Sequence, residues 1–171
     1  MLGPDDGTLS VFTERGGAVA KAGHNLLMHV TSWDGVLEVG DESRVELNVD
    51  ASSFKVIEGS GGMQALDDDD KANIEQTIDD EVLKRRTVGF RSTQVDATDA
   101  GLHVAGELTL SGRSRPVAFD LRAADGRLKG AVVVKQTDWG MKPYSGLFGA
   151  LKVVDEVEVG IEARLPEPQS L

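Results

Sequence analysis

The sequence predicts an all-β domain, an eight-stranded antiparallel barrel with one helical insertion near residues 67–84. Three observations carry that expectation. Apolar residues recur at every second position through most of the chain, short turn segments separate these runs, and a single stretch changes to helical spacing.

In chain order, Thr8 to Thr13, Asn25 to Val39 and Arg44 to Asp50 read as strands, and Ser52 to Ile57 adds a short one. Asp67 to Lys84 follows a flexible Glu58-Gly59-Ser60-Gly61-Gly62 segment and carries Ile74, Ile78, Val82 and Leu83 at helical spacing. Its acidic start, Asp67 to Asp70, suits the positive end of a helix macrodipole. It does not read as a calcium loop, because Ala72 and Ile78 stand where an EF-hand needs Gly and Glu. Thr87 to Asp96 is the next strand. From Leu102 the alternation is clearest: Leu102, Val104, Leu108 and Leu110; then Val117, Phe119 and Leu121; then Leu128, Val132 and Val134; and last Val157, Val159, Ile161, Ala163 and Leu165. The connections at Asp99-Ala100-Gly101, Ser111 to Arg115 and Asp125-Gly126-Arg127 leave no room for crossover helices, so these strands are antiparallel neighbours. A closed barrel removes the exposed edges that so many strands would present, with a two-sheet sandwich as the alternative.

The 171 residues suit one domain spanning 1–171, with its core from about 8 to 165. The chain has no cysteine, which excludes disulfides, thiolate metal sites and cysteine nucleophiles. A formal charge of −11 repels phosphate backbones, so nucleic acid is not an expected partner. With neither a leader-like N-terminus nor a run of ~20 apolar residues, the sequence reads as cytoplasmic.

Chemistry-bearing patterns are sparse. The sequence contains no nucleophile elbow, no HExxH and no phosphate loop. His24 and His29, five residues apart, fall on opposite faces of a strand and do not converge on a metal, so no metal is expected. His24 reads either as a buried hydrogen-bonded residue or as a general base inside the barrel. Trp139, Tyr144 and Phe148 stand in a glycine-spaced connection from Trp139 to Gly149, which either covers a cavity or packs the barrel end.

Several of these segments resemble, in order, the YceI-like proteins. Gly23-His24-Asn25-Leu26 is similar to the family's Gly-His-Asp-Leu strand entrance, and Phe90-Arg91-Ser92 to its Phe-x-Ser. Gly106 to Gly112 is similar to Gly-x-Leu-Thr-Leu-x-Gly, Thr137-Asp138-Trp139-Gly140-Met141 to Ser-Asp-Phe-Gly-Ile, and Leu151 to Val157 to the run entering the last strand. The departures are Asn25 for Asp, Thr87-Val88 where proline is usual, and Trp139 for Phe. The resemblance implies a lipocalin-like barrel that binds, stores or transports a long-chain apolar ligand, of polyisoprenoid or fatty-acyl type, without a cofactor. The lining then expected is Leu26, Met28, Val30, Phe90, Leu108, Leu110 and Val132, with Trp33, Trp139, Tyr144 and Phe148 nearer the rim and His24 as a polar wall residue. The alternatives are a cyclase- or isomerase-type cavity enzyme, with His24 or Tyr144 as acid or base, and a solid barrel acting as an interaction module. A homodimer is left open.

Overall fold

The structure, a computed structural model, describes residues 1–16, 23–61, 65–146 and 151–165. Its strands are β1 (Gly7–Gly16), β2 (Asn25–Val30), β3 (Trp33–Glu38), β4 (Arg44–Val49), β5 (Phe54–Ser60), β6 (Val88–Ala97), β7 (Gly101–Leu110), β8 (Arg113–Ala124), β9 (Arg127–Lys135), the two-residue β10 (Ser145–Gly146) and β11 (Leu151–Arg164). One helix, α1 (Asp68–Thr77), runs into a wider π-type turn over Ile78–Val82.

Every pairing is antiparallel, and the hydrogen-bonded order is β3-β4-β6-β7-β8-β9-β11-β1-β2-β5. The expected eight strands are therefore corrected to ten, with β10 in addition. One of the expected strands is broken at a corner, and a second corner separates two that were expected apart. The run from Asn25 divides into β2 and β3 at Thr31-Ser32, and β4 is separated from β5 by a short 3₁₀ turn over Ala51–Ser53. The two corners lie side by side, since Thr31 N donates to Ser53 O at 2.9 Å and Asp50 N to Ser32 O at 3.1 Å. Covalent continuity through Thr31-Ser32 thus joins the two ends of the ladder, and the sheet curls into a barrel.

The tightest connections follow from their residues. Ser111-Gly112 and Asp125-Gly126 have φ of 50°, 78°, 53° and 74°, so both central residues are left-handed, as a two-residue type I′ hairpin demands. The helix starts as its acids predict: Asp67 accepts from Asp70 N, and the Asp70 carboxylate accepts from Asp67 N, a complete capping box. None of α1 is buried, so the cap and the packing of one face hold it in place.

One end of the barrel is filled. Leu102, Val104, Leu121 and Leu128 are 5, 0, 6 and 3% exposed and pack with Phe90. The Phe90 and Phe119 rings meet at 5.4 Å with a 56° tilt. Gly106 permits this: a Cβ there would stand 2.7 Å from Phe90 Cζ and 2.3 Å from Arg91 O. No helix among the described residues is long and apolar enough to cross a membrane.

Candidate functional site

The alternation that builds the barrel turns one residue in two toward its axis. Above the filled end these side chains do not meet, and they enclose a cavity of about 570 Å³, within the usual range for small-molecule sites. Leu9 and Val11 of β1, Val117 of β8, Val132 of β9, and Val157 and Val159 of β11 form much of its wall. Branched side chains of this length, standing on opposite sides of a barrel, are too short to fill it.

The expected lining is largely in place. Leu26, Met28, Val30, Trp33, Phe90, Leu108, Leu110 and Val132 all border the cavity, as do His24 and Tyr144. Trp139 is a correction. Its indole turns away from the cavity into the core beside Met141, 4% exposed, and its Nε1–H donates to Leu108 O at 2.8 Å. The physical reason is that this hydrogen bond to Leu108 O holds the indole at the end of a tight 3₁₀ turn over Gln136–Trp139, which is closed by left-handed Gly140. End-packing is thus the role of that aromatic. Tyr144 keeps 42% of its surface exposed while touching the cavity. Phe148 lies outside the described residues.

Sequence reasoning missed the helical contribution to the wall. Asn73, Ile74, Thr77, Ile78, Val82 and Leu83 border the cavity from the segment that links β5 to β6. The signal was present, since Ile74, Ile78 and Val82 follow helical spacing and present one apolar stripe. Two contacts pin the helix over β5: Glu75 Oε1 accepts from Val56 N at 3.0 Å, and Glu75 Oε2 lies 3.6 Å from Lys55 Nζ. The helix therefore covers the gap that opens where β5 and β6 diverge.

Polar groups in the wall are few, among the described residues Thr13, Arg15, His24, Glu46, Asn73, Thr77, Gln136 and Tyr144. Gln136, 5% exposed, donates from Nε2 to Val154 O at 3.4 Å and Asp155 O at 3.3 Å, filling the irregularity where β11 gains residues against β1. His24 stands at the entrance to β2. His29, one strand face away, pairs with Ser10 and Lys55 and is absent from the wall, while His103 meets Asp120 at 2.6 Å elsewhere. The three histidines are thus separate. The alternative of a solid barrel is excluded by the cavity itself.

A family model described as "YceI-like domain" matches residues 10–165. No curated protein matches the chain. Among solved structures, Burkholderia cenocepacia BcnA superposes with a TM-score of 0.63 at 14% identity, covering 94% of this chain and 96% of that one. The Campylobacter jejuni YCEI protein superposes with a TM-score of 0.52 at 12% identity, covering 82% of this chain and 85% of that one. At such identities the likeness is one of fold.

Proposed function

The chain belongs to the YceI-like domain family, and from that starting point we propose that its barrel binds, and so stores or carries, one long-chain apolar ligand of polyisoprenoid or fatty-acyl type. The observation that carries this reading is the cavity of about 570 Å³ with its almost wholly apolar wall. At ~30 Å³ for a water-sized group, such a space takes roughly twenty methylene-sized groups. Burial yields about 0.8 kcal/mol per methylene, so ten of them contribute roughly 8 kcal/mol before the costs of ordering the chain. Micromolar binding therefore needs no elaborate polar contact. The helix over the β5–β6 gap gives the ligand a route that leaves the sheet intact, because displacing it breaks few backbone hydrogen bonds of the barrel.

Native mass spectrometry of the purified protein, followed by organic extraction, tests the reading. A single co-purifying long-chain lipid, or stoichiometric uptake of a prenyl or acyl probe, supports it. A protein that is empty and takes up neither probe overturns it. His24→Ala retains the bound lipid in this reading; a chemically altered lipid that disappears with that substitution would instead favour catalysis in the same cavity.

A further inference from the structure

Among the described residues the cavity wall contains two fully charged ones, Arg15 and Glu46, and they are not alike. The Glu46 carboxylate points outward, where it lies 3.5 Å from Arg44 and 3.8 Å from Arg91. Arg15 is the last described inward residue of β1 before its end at Gly16. Its side chain reaches from β1 past the start of β2 to Gly61, just beyond the end of β5. A Cβ at Gly61 would stand 2.5 Å from Arg15 Nη1 and 2.7 Å from Cζ. Gly61, with φ of 75°, thus leaves the space in which the guanidinium lies. Two hydrogen bonds fix the arrangement: Nη1 donates to Gly23 O at 3.0 Å, and Arg15 N donates to Asn25 Oδ1 at 3.0 Å.

A guanidinium offers five N–H donors in a planar fork. Among the described residues, the Arg15 guanidinium donates to one acceptor, the Gly23 backbone carbonyl, and enters no ion pair. A half-buried cation at the end of an apolar space is poorly solvated, and its attraction for an anion is correspondingly larger than at a free surface. Thr13, the next inward residue along β1, has a buried hydroxyl with no hydrogen-bond partner. His24 and Tyr144 also border the cavity. The opposite end, at Leu121 and Leu128, is closed by hydrocarbon alone. The guanidinium and the unpartnered Thr13 hydroxyl therefore stand together on β1, and the far end at Leu121 and Leu128 is hydrocarbon, while Asn73, Thr77, Gln136 and the unpartnered Trp33 Nε1 are uncharged polar groups elsewhere in the wall.

We infer that the ligand is a single-chain amphiphile whose oxyanion head, a carboxylate or a phosphate, is held by Arg15 while its chain runs toward Leu121 and Leu128. This rests on the cavity-binding reading above and adds the chemistry of the head. The net charge of −11 does not oppose it at contact, because charges beyond about 10 Å are largely screened at 0.1 M salt. A planar fork also matches a two-oxygen head better than a single hydroxyl.

The test uses delipidated full-length protein and four probes of equal chain length: hexadecanoate, hexadecyl phosphate, methyl hexadecanoate and hexadecan-1-ol, titrated at pH 8. At least one anion is expected to bind the wild type more tightly than the ester and the alcohol, and which anion does so identifies the head. Arg15→Gln weakens the anions by about tenfold or more and leaves the alcohol unchanged, and Arg15→Lys falls between them. Added salt weakens the anions on the wild type and spares the alcohol, so the result does not depend on the variants folding. Equal affinity for all four probes, or an equal loss for all four in Arg15→Gln, overturns the Arg15 anchor. Uptake of the neutral probes with exclusion of both anions overturns the anchor and leaves the cavity reading standing. Failure of all four on the wild type overturns both.

Discussion

The two halves of the barrel obey the same alternation and end in opposite states. In the filled half, Leu102, Val104, Leu121 and Leu128 interlock and are 6% exposed or less. In the hollow half, Leu110, Val132, Val157 and Val159 point inward by the same rule yet are only partly buried, because they border the cavity, while Leu9, Met28 and Val30 border it too and are buried against their neighbours. Alternation thus sets where a side chain points, whereas its reach, and the room its neighbours leave, decide whether the centre is filled. Two glycines make the difference visible. Gly106 lets Phe90 fold across β7, and Gly130 does the same for Leu121, whose Cδ2 would lie 2.8 Å from a Cβ at that position.

The contrast is most severely tested by removing the same atoms from each half. Leu128→Ala leaves a void in close packing and is expected to cost about 3 kcal/mol, whereas Leu110→Ala enlarges a space already present and costs about 1 kcal/mol. Chemical denaturation of the empty protein measures both. Equal losses would mean that the hollow half closes up in solution. Filling the space makes the converse case. Val132→Trp places an indole in the cavity, so uptake of a hexadecyl probe falls by about tenfold or more while stability stays within about 1 kcal/mol of the wild type. Binding that survives this substitution would place the ligand elsewhere.

Much of this was legible because a period of two has one physical cause. Each of the inward residues from Leu102 to Ala163 named from the sequence does face the barrel axis, and the Ser-Gly and Asp-Gly turns fall where left-handed residues are needed. The corner at Thr31-Ser32 was not read, although a signal existed. Inward positions are even in Leu26, Met28 and Val30 and odd from Trp33 to Leu37, and only an irregularity at Thr31-Ser32 can shift the phase. The same shift separates Val45, Leu47 and Val49 from Phe54 and Val56. Trp139 could not be placed by pattern, because its direction depends on the 3₁₀ turn and on Leu108 O, a partner 31 residues away. Nor did Arg15 stand out, since only the fold brings Gly61 beneath it.

The smallest expected effect separates the two halves by pH. The filled end is packed by apolar side chains, with the exposed His103–Asp120 pair on its outer face, whereas the turn that follows α1 is tied by a carboxylate. Asp80 accepts from Gln76 Nε2 at 2.5 Å and from Arg85 Nε at 2.7 Å, and these contacts, Gln76 foremost, hold its carboxyl below the usual carboxylate range. A group whose folded pKa is depressed lends stability that is complete above its unfolded value near 4 and disappears as the pH falls through the folded value. Acidification is therefore expected to loosen the covering segment before the barrel. In hydrogen exchange, amide protection over residues 68–86 falls from neutral pH to about pH 3, once intrinsic exchange rates are corrected, while that of Val104 and Leu121 persists. Asp80→Asn removes part of this pH dependence, and lowers protection at neutral pH, by breaking the pair with Arg85, whose backbone is left-handed at φ of 56°. If protection over the helix and over β7 falls in parallel, the cover is not an independent unit and the ligand must enter by opening the sheet.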